Sequence, residues 1–542
     1  MPSALYPRPN VEKLLPPGLV ANILGVRDAV EPVVASPQLA YSILNLFPTG
    51  TRWYGRPGFR QAGSQLETTA QLLYSFQKQD GTLHSVRICG GKFYTYDWAS
   101  GSWTEMVNAA AFTAAGITLD ASAICHATTF NDKLIVNDSV NRPWSWDGTT
   151  GGGLSLLSNA PSVCYGVPVV YAGKLFFIMG NERLSFAWSE ELAENTGYEA
   201  GGYNNTWEFA QTAQDRLVRM VGTNQGLVVF RGHSISLILG EVATDFRSAS
   251  TDEAISGTLG TLSPDSIVEV GQSIFFLDQR GRPQLLRLGS GVVGEEDDGV
   301  DPIWWDCAEL MEKLTRSDVA NWQGVYRNDL DLVLFSYWED GRSARDRIMC
   351  FRPDTGQYTG RFTGFQVDRI AMLRDNRYED NTRMMHDEGD GYAYWHGLPG
   401  ENVLTDELNA GDAGIVHEIA GPALHYEIDA EKRWERADIE LRGWSGLTTI
   451  SFDYQTPRSR NFSTAQTVAV SAADDDTLVW DDGLWDDGEW DYENYAARAA
   501  LGLAANGRWI RPRIRHTTAG ERFGFSAMML TGFRQAKWPG LL

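Results

Sequence analysis

The residues whose types and spacing most suggest chemistry form the acidic stretch LVWDDGLWDDGEWDY at positions 478–492. Tryptophan recurs there at every fifth position, with Asp, Glu and Gly between: the candidate residues are Trp480, Trp485, Trp490, Asp481, Asp482, Asp486 and Asp487. Carboxylates at this density are suited to a calcium ion, and exposed tryptophans are suited to stacking on sugars. A third interpretation is structural, with each ring buried so that it anchors an Asp-Gly turn.

The order of the residues favours the structural interpretation. The EF-hand order of alternating Asp or Asn, then Gly, then a distal Glu is absent from this stretch. A five-residue spacing also matches neither one face of a helix nor one face of a strand. We therefore expect the three tryptophans to be buried at successive turns, with calcium binding and sugar stacking as the alternatives.

A basic strand follows the acidic stretch. In the sequence RWIRPRIRH, Arg511, Arg513 and Arg515 alternate onto one strand face, and Ile510 and Ile514 point to the other. Guanidinium groups in such a row form paired hydrogen bonds with carboxylates. Residues 474–493 hold ten acidic residues and no basic residue. These acids are the expected partners of the arginines, within the chain or in a neighbouring copy.

Motifs for catalysis or for cofactor binding are absent from the sequence. The eight histidines include no HExxH, the five cysteines form no CxxC pair, and no nucleophile elbow, Walker loop or dinucleotide fingerprint occurs. We expect a protein that is not an enzyme, without catalytic, metal-binding or cofactor-binding residues, whose cysteines are buried free thiols. A glycan hydrolase stays open, because spacing along the chain does not reveal which of the 70 acidic residues converge.

The elements that position these residues are short strand pairs, which recur between about residues 85 and 400. Gly91, Asp132 and Gly173 align at intervals of 41 residues, and each precedes a lysine and an apolar run. Looser copies begin at Gln225, Gly271, Asn328 and Gly389. Repeats too small to bury their own faces are typical of propeller blades. The pattern predicts a β-propeller of about seven blades, with a pair of β-sandwiches or a β-helix as the alternative.

The expected fold class is all-β, with three regions. Residues 1–60 form an extended N-terminal arm, and a strand near residues 51–61 closes the propeller. Residues 61–420 form the propeller, with a short helical insertion near 301–315 in which Asp301 caps the helix and Pro302 takes its first position. Longer alternating strands predict a C-terminal antiparallel β domain of sandwich type over residues 421–542.

The charge balance limits the partners. The chain has 46 basic and 70 acidic residues, for a net charge of −24. Such a surface repels DNA, which excludes nonspecific capture of nucleic acid, yet it suits a protein that DNA slides past without sticking. The sequence also lacks an apolar run of eighteen residues and a signal-peptide pattern, so we expect a soluble, unprocessed protein.

One segment resembles a known family. The sequence ASPQLAYSILNLFPTGTRWYGRPGF, residues 35–59, contains Asn45 with Phe47-Pro48, followed by the turn from Gly55 to Gly58. This segment, followed by strand pairs and then a β domain with an acidic tryptophan loop, resembles the tail hub or nozzle proteins of short-tailed bacteriophages. The likeness in layout covers most of the chain, whereas matching of residues is confined to 35–63 and the first blades.

The resemblance implies a structural protein of the virion tail that is assembled in the host cytoplasm. Six copies would form a ring around the channel through which DNA is ejected, with the propellers decorating the ring. The implied partners are other copies of the chain, neighbouring tail adaptor and fibre proteins, the host surface, and DNA that passes without tight binding. The longer, proline-rich N-terminus departs from the family and puts the adaptor contact in question. The alternatives are a receptor- or glycan-binding propeller and a glycan hydrolase on a propeller scaffold.

Overall fold

The protein folds mainly into β-strands. The computed structural model describes residues 18–21, 23, 25–27, 39–50, 52–120, 122–180, 182–198, 205–209, 214–239, 251–288, 299–377, 382–399, 401–408, 411–424, 432–442, 448–459, 461–470, 496–521 and 523–534. Two compact units contain them: unit 1 spans 1–57, 358–362 and 412–542, and unit 2 spans 58–357 and 363–411. None of the helices in these ranges is long and apolar enough to cross a membrane.

Seven short strands precede the large repeats. They are β1 (Gly18–Ala21), β2 (Gly25–Val26), β3 (Leu39–Ala40), β4 (Ser42–Leu44), β5 (Leu46–Thr49), β6 (Arg52–Gly55) and β7 (Phe59–Gln61). The strands β1 to β6 lie in unit 1, and β7 lies in unit 2.

Seven groups of short, mostly antiparallel strands, which we number as sheets 1 to 7, follow one another in the described part of unit 2. Sheet 1 holds β8 (Leu72–Gln77), β9 (Leu83–Cys89), β10 (Lys92–Asp97) and β11 (Ser102–Val107). Sheet 2 holds β12 (His126–Phe130), β13 (Lys133–Asn137), β14 (Trp144–Trp146) and β15 (Leu154–Leu156). Sheet 3 holds β16 (Cys164–Tyr171), β17 (Lys174–Met179), β18 (Ser185–Glu190), β19 (Ala193–Gly197) and β20 (Thr206–Glu208).

The later sheets keep this plan. Sheet 4 holds β21 (Leu217–Gly222), β22 (Leu227–Arg231), β23 (Ile235–Leu239) and β24 (Thr251–Ser256). Sheet 5 holds β25 (Val268–Val270), β26 (Ser273–Leu277), β27 (Pro283–Arg287) and β28 (Val300–Pro302). In sheet 6, β29 (Gly324–Arg327), β30 (Leu332–Tyr337) and β31 (Arg347–Phe351) pair within unit 2, and β32 (Tyr358–Thr363) follows. Sheet 7 holds β33 (Arg369–Arg374), β34 (Thr382–Asp387), β35 (Ala393–His396), β7, β36 (Thr405–Leu408) and β37 (Gly411–Gly414).

The 41-residue period marks hairpin turns. Gly90 and Gly91, Asn131 and Asp132, and Ala172 and Gly173 all have positive φ angles between strands that pair directly. Two central residues with positive φ define the tight turn that matches the twist of a hairpin. The 41-residue period nevertheless does not mark the same turn in every sheet. Gly91 joins the second and third strands of sheet 1, whereas Asp132 and Gly173 join the first and second strands of their sheets.

The N-terminal segment supplies one strand to the last sheet. β7 pairs with β35 in the register Phe59 with His396 and Gln61 with Tyr394. The Phe59 ring is fully buried and lies within 5.4 Å of the rings of Phe365 and His386, measured between ring centroids. Only the end of the predicted closing segment, residues 51–61, has this role, because β6 pairs instead with β5 and with the C-terminal strand β44 (Gly524–Arg534).

In the described part of the chain, two short α-helices interrupt the strands. The helix α1 (Ala109–Ala114) begins after Asn108, whose side chain accepts a hydrogen bond from the backbone of Ala111. The helix α2 (Ala308–Glu312) follows a 3₁₀ turn, Trp304–Cys307. The sequence predicted that Asp301 and Pro302 start this helix. They do not, because both lie in β28 at the edge of sheet 5. Proline is tolerated at such an edge.

Unit 1 contains two larger sheets that combine both ends of the chain. The remaining strands are β38 (His417–Ala420), β39 (Lys432–Arg442), β40 (Thr448–Gln455), β41 (Gln466–Val470), β42 (Ala496–Gly507), β43 (Arg511–His516) and β44. One sheet has the order β42-β39-β44-β6-β5, with β1 also on β44, and the other contains β32-β4-β38-β43-β40-β41. The predicted domain 421–542 therefore covers only part of this unit, because N-terminal strands hydrogen-bond to C-terminal ones.

Candidate functional site

The acidic tryptophan stretch lies outside the described residues. Trp480, Trp485, Trp490 and the aspartates between them fall in the range 471–495. The turn, calcium and sugar-stacking interpretations of this stretch all stay predictions. Within the ranges that the structure describes, no three His, Cys, Asp or Glu side chains are grouped to hold a metal ion.

The basic strand β43 lies between β38 and β40, and its arginines contact side chains of both neighbours. Arg513 donates Nε to Oδ1 and Nη2 to Oδ2 of Asp453, each at 2.8 Å. Arg515 donates Nη2 to the same Oδ2 at 2.6 Å. Arg511 donates to Gln455 at 3.0 Å and stacks on Tyr41. All three arginines therefore reach along one face of the sheet.

Two carboxyl groups, Asp453 and Glu418, lie among the three arginines of this row. The Asp453 side chain is only 2% exposed, so the two guanidinium groups provide the compensation that a buried carboxylate requires. On the other side of Arg513 lies Glu418, at 3.5 Å. Burial raises the pKa of Glu418 although the nearby arginines oppose the shift. The described partners of the arginines are thus internal, while pairing with residues 474–493 stays a prediction.

A second polar group, which we name the Asp265 cluster, joins side chains from separate sheets of unit 2. Asp265 precedes β25 in a short 3₁₀ turn, Pro264–Ser266. Its Oδ1 lies 3.1 Å from Nε2 of His126, and its Oδ2 accepts a 3.1 Å hydrogen bond from Arg369. Arg219 donates to the backbone carbonyls of Pro264 and Ile267. His126, Arg219 and Arg369 belong to sheets 2, 4 and 7.

The surroundings of the Asp265 cluster shift the pKa values of two carboxyl groups in opposite directions. Burial alone would raise the pKa of Asp265, but His126, Arg369 and Arg219 outweigh it and hold this pKa well below its usual value. In contrast, burial raises the pKa of Glu269, and Arg219 only partly opposes the shift. Both oxygen atoms of Asp265 are engaged, so its described contacts tie sheets together and leave little capacity for a substrate.

No sequence motif predicts the Asp265 cluster. Its members are separated by up to 243 positions, from His126 to Arg369, and none stands in a recognisable motif. Each lies in the first strand of its sheet or just before it. That shared position is the only signal from which the cluster could have been anticipated.

The segment that carries the family resemblance has specific contacts. Asn45, at φ 55°, accepts a 3.0 Å hydrogen bond from the buried Arg56 side chain and donates to the carbonyl of Val416. A Cβ atom at Gly55 would lie 2.5 Å from Nε2 of His417. A Cβ atom at Gly58 would lie 2.1 Å from the carbonyl oxygen of Thr405. Side chains larger than glycine are therefore excluded at both positions without displacement of neighbours.

Two buried histidines lie close together in unit 1. The His417 and His516 rings have centroids 5.6 Å apart, and His516 stacks on Phe523. Burial, assisted by His516 and Arg56, holds the pKa of His417 well below its usual value. Burial also lowers the pKa of His516, although Glu521, 3.0 Å away, opposes this shift. Both rings are thus held neutral near pH 7.

Comparisons with known proteins add little. No protein-family model matches the chain, and no curated protein matches its sequence. Among solved structures, the computationally designed Ika8 protein is similar with a TM-score of 0.31 and 11% identity, over 66% of this chain and 96% of the designed one. A likeness at that level supports no conclusion about the fold or function of this protein.

Proposed function

We propose that unit 2 is a seven-bladed β-propeller in which each small sheet is one blade. The first strands support this arrangement, because β8 packs against β12, β12 against β16, β16 against β21, β25 against β29, β29 against β33, and β33 against β8. Sheets 4 and 5 share a core that includes Phe230 and Phe276. The contacts thus return from the last sheet to the first, as closure of a propeller requires.

Side chains also join the first and last sheets. Arg87 of sheet 1 forms an ion pair with Asp387 of sheet 7, and both side chains are fully buried. Ser85 donates to the carbonyl of Arg374, and the Arg374 amide donates to Ser75. β7 adds a strand from the beginning of unit 2 to sheet 7. Such a strand closes a propeller by joining its two ends, which limits exposed sheet edges.

We further propose that the protein is a structural component of a bacteriophage tail, part of the ring or nozzle through which DNA is ejected. The observation that carries this proposal is the layout of the chain. In sequence, the strands of unit 2 follow the segment 35–59 and precede the strands β38 to β44, and this order of regions is the one on which the resemblance rests. The net charge of −24 is consistent with a channel that DNA crosses without tight contacts.

In this proposal, unit 1 forms the ring and the propeller decorates it. Six copies would assemble in the host cytoplasm and act in the virion tail, beside adaptor and fibre proteins. The chain would be a scaffold without catalytic activity. The charge-compensated Asp265 cluster would then stabilise the propeller and would have no role in chemistry.

The oligomeric state of the purified full-length chain tests this proposal. We expect mass photometry and electron cryo-microscopy to reveal rings of about six copies with a mostly acidic channel wall. Met529 in unit 1 is 37% exposed and Leu192 in unit 2 is 63% exposed, which allows a matched comparison. Met529→Glu is expected to weaken the ring, and Leu192→Glu is expected to leave it intact.

Three results would contradict the proposal. Monomers alone, in solution and in assembled particles, would exclude a ring. A channel wall lined mainly by Arg and Lys would exclude passage of DNA without tight contacts. Dispersal of the ring by Leu192→Glu and not by Met529→Glu would assign assembly to the propeller instead of unit 1.

A further inference from the structure

A small cavity lies between the first hairpins of sheets 4 and 5. Its volume is about 320 Å³, and residues of both sheets line it. The β21–β22 turn contributes Thr223 and Asn224, and the β25–β26 hairpin contributes Glu269, Gln272 and Ser273. This volume is at the lower end of the range for small-molecule sites. The cavity therefore suits a single ring better than an extended chain.

The floor of the cavity is apolar. Ile274 and Leu288 line it, and they are only 2% and 8% exposed. Both side chains belong to the core that sheets 4 and 5 share. Side chains in a closely packed core keep their positions. The floor thus offers a small, fixed apolar surface to one face of a ring.

The two turns at the rim of the cavity are held by hydrogen bonds. The Thr223 hydroxyl group accepts hydrogen bonds from the amides of Gln225 and Gly226 and donates to the Gly226 carbonyl. In the other hairpin, Val270 pairs directly with Ser273 across a two-residue turn. A ligand that enters the cavity meets preformed walls and loses little free energy to ordering them.

Polar side chains at the rim have free hydrogen-bonding capacity. Asn224 and Gln272 are exposed, and Ser273 is half-buried. Within the ranges that the structure describes, the side chains of these three residues form no hydrogen bond. Each side-chain amide has two donor hydrogens and an acceptor oxygen, and a serine hydroxyl group both donates and accepts. This mixture of donors and acceptors matches a ligand with several hydroxyl groups.

Glu269 provides the charge of the cavity. It is the only ionisable residue among those that line the cavity, and its side chain is 49% exposed. Its Oε1 atom lies 3.9 Å from Nη2 of Arg219, too far for a hydrogen bond. Arg219 donates instead to the backbone carbonyls of Pro264 and Ile267. The carboxyl group therefore retains the capacity to pair with a cation in the cavity.

We propose that this cavity binds a hexosamine, a sugar ring with a free amino group. The ammonium group pairs with Glu269, and the hydroxyl groups form hydrogen bonds with Asn224, Gln272 and Ser273. Ile274 and Leu288 contact the apolar face of the ring. The Glu269 carboxylate repels sugars that carry a carboxylate or a phosphate. This site requires only sheets 4 and 5, so it does not depend on the proposed role in a phage tail.

Isothermal titration calorimetry of the full-length chain with glucosamine tests the site. We expect binding at millimolar concentration, and Glu269→Gln is expected to weaken it about tenfold, equivalent to about 1.4 kcal/mol. Asn224→Ala and Gln272→Ala are each expected to weaken binding about threefold, because each removes one hydrogen-bonding group. The matched control is Glu253→Gln, which removes an exposed carboxylate from β24 of sheet 4 and should leave binding unchanged.

Other small ligands test which part of the hexosamine is recognised. Glucose and N-acetylglucosamine lack the positive charge, and methylammonium lacks the ring. We expect each of them to bind at least about tenfold more weakly than glucosamine, which is the loss assigned to the Glu269 ion pair. Glucuronate, which carries a carboxylate, is expected not to bind.

Several results would overturn the proposal. One is the absence of glucosamine binding at tens of millimolar, and another is equal affinity of the Glu269→Gln variant and the unmodified chain. Equal loss of binding in Glu253→Gln, or methylammonium binding as tight as that of glucosamine, would show general attraction of cations to an acidic protein. Binding of N-acetylglucosamine or glucuronate as tight as that of glucosamine would exclude recognition of the amine. Circular dichroism of each variant checks that the fold is retained.

Discussion

The buried ion pair between Arg87 and Asp387 allows a test of how the first and last sheets are joined. Asp387→Asn removes the countercharge of Arg87 and preserves the shape of the side chain. Arginine cannot release its proton at neutral pH, so the variant retains a buried cation. Nε and Nη1 of Arg87 already have no hydrogen-bond acceptor among the described residues. The substitution should therefore be strongly destabilising.

The magnitude follows from burial. Breaking a buried ion pair by removing one partner costs about 3–5 kcal/mol. Arg87 keeps hydrogen bonds to the carbonyls of Thr68 and Gly391, so we expect a loss of about 3 kcal/mol. At roughly 2 °C per kcal/mol for a large unit, the melting temperature of unit 2 should fall by about 6 °C. Differential scanning calorimetry of the full-length chain measures this shift.

The complementary change should cost less. In Arg87→Met the remaining group is a carboxyl, and burial already raises the pKa of Asp387 in spite of Arg87. Without the arginine, Asp387 takes up a proton instead of remaining a buried charge. A carboxyl with a raised folded-state pKa stabilises the protein below its unfolded pKa of 3.8 and loses that contribution as pH rises. Arg87→Met should therefore be relatively more stable near pH 4 than at pH 7.

The control is an exposed ion pair beside the same sheet. Glu67 binds Lys92 of sheet 1, with side chains 54% and 27% exposed. Glu67→Gln should leave the melting temperature of unit 2 nearly unchanged, because exposed ion pairs contribute little to stability. The reasoning fails if Asp387→Asn costs no more than this control, or if Arg87→Met is the more damaging of the two changes.

Four further predictions concern other parts of the chain. The pKa values of His417 and His516 are both lowered on folding. Their contribution to the free energy of unfolding should therefore be complete above pH 6.5 and should fall below it by up to about 1.4 kcal/mol per pH unit per histidine. Urea unfolding at pH 7.5 and 5.5 checks this, and an unchanged midpoint would contradict it. Gly58→Val should destabilise unit 2 through the close approach to Thr405, and a normal melting curve would rule out this packing. Replacing the three arginines of β43 by glutamine should lower the melting temperature of unit 1 and leave unit 2 folded; unchanged melting and assembly would refute the role of this row. All five cysteines are buried and none forms a disulfide, so a thiol reagent at pH 8 should react only after unfolding, and rapid labelling of the folded chain would disprove their burial.

Local features such as hairpin turns were predicted from the sequence more accurately than the pairing of strands. The turns at Gly91, Asp132 and Gly173 were visible because positive φ and the hairpin that follows are encoded by adjacent residues. Whether a hairpin joins the first and second strands of a sheet or the second and third depends on neighbours far along the chain. That is why Gly91 was aligned with the wrong hairpin. The predicted helix start at Asp301 and Pro302 was wrong for a similar reason. Both residues pair with β27, and this pairing outweighed the local helix signal.

The candidate sites were predictable to different degrees. Alternation placed the β43 arginines on one face, and Asp453 and Gln455 alternate in the same way on β40, so their pairing required only the strand order. The contacts among His126, Asp265 and Arg369 could not be predicted from the sequence, because no local rule brings residues of separate sheets together.

The pairing of β1 with β44 has a consequence for synthesis on the ribosome. Gly18 pairs with Leu530, and Ala21 pairs with Ala527, so these two partner strands are translated up to 512 residues apart. At about 5–20 residues per second, roughly 25 to 100 s separate their translation. Unit 2 can fold during this interval, whereas the sheet that contains β1 is complete only once β44 has been translated. A chaperone that holds β1 until then would thus be needed early, and a stop codon between residue 411 and β44 would release a chain with a complete unit 2 and an incomplete unit 1.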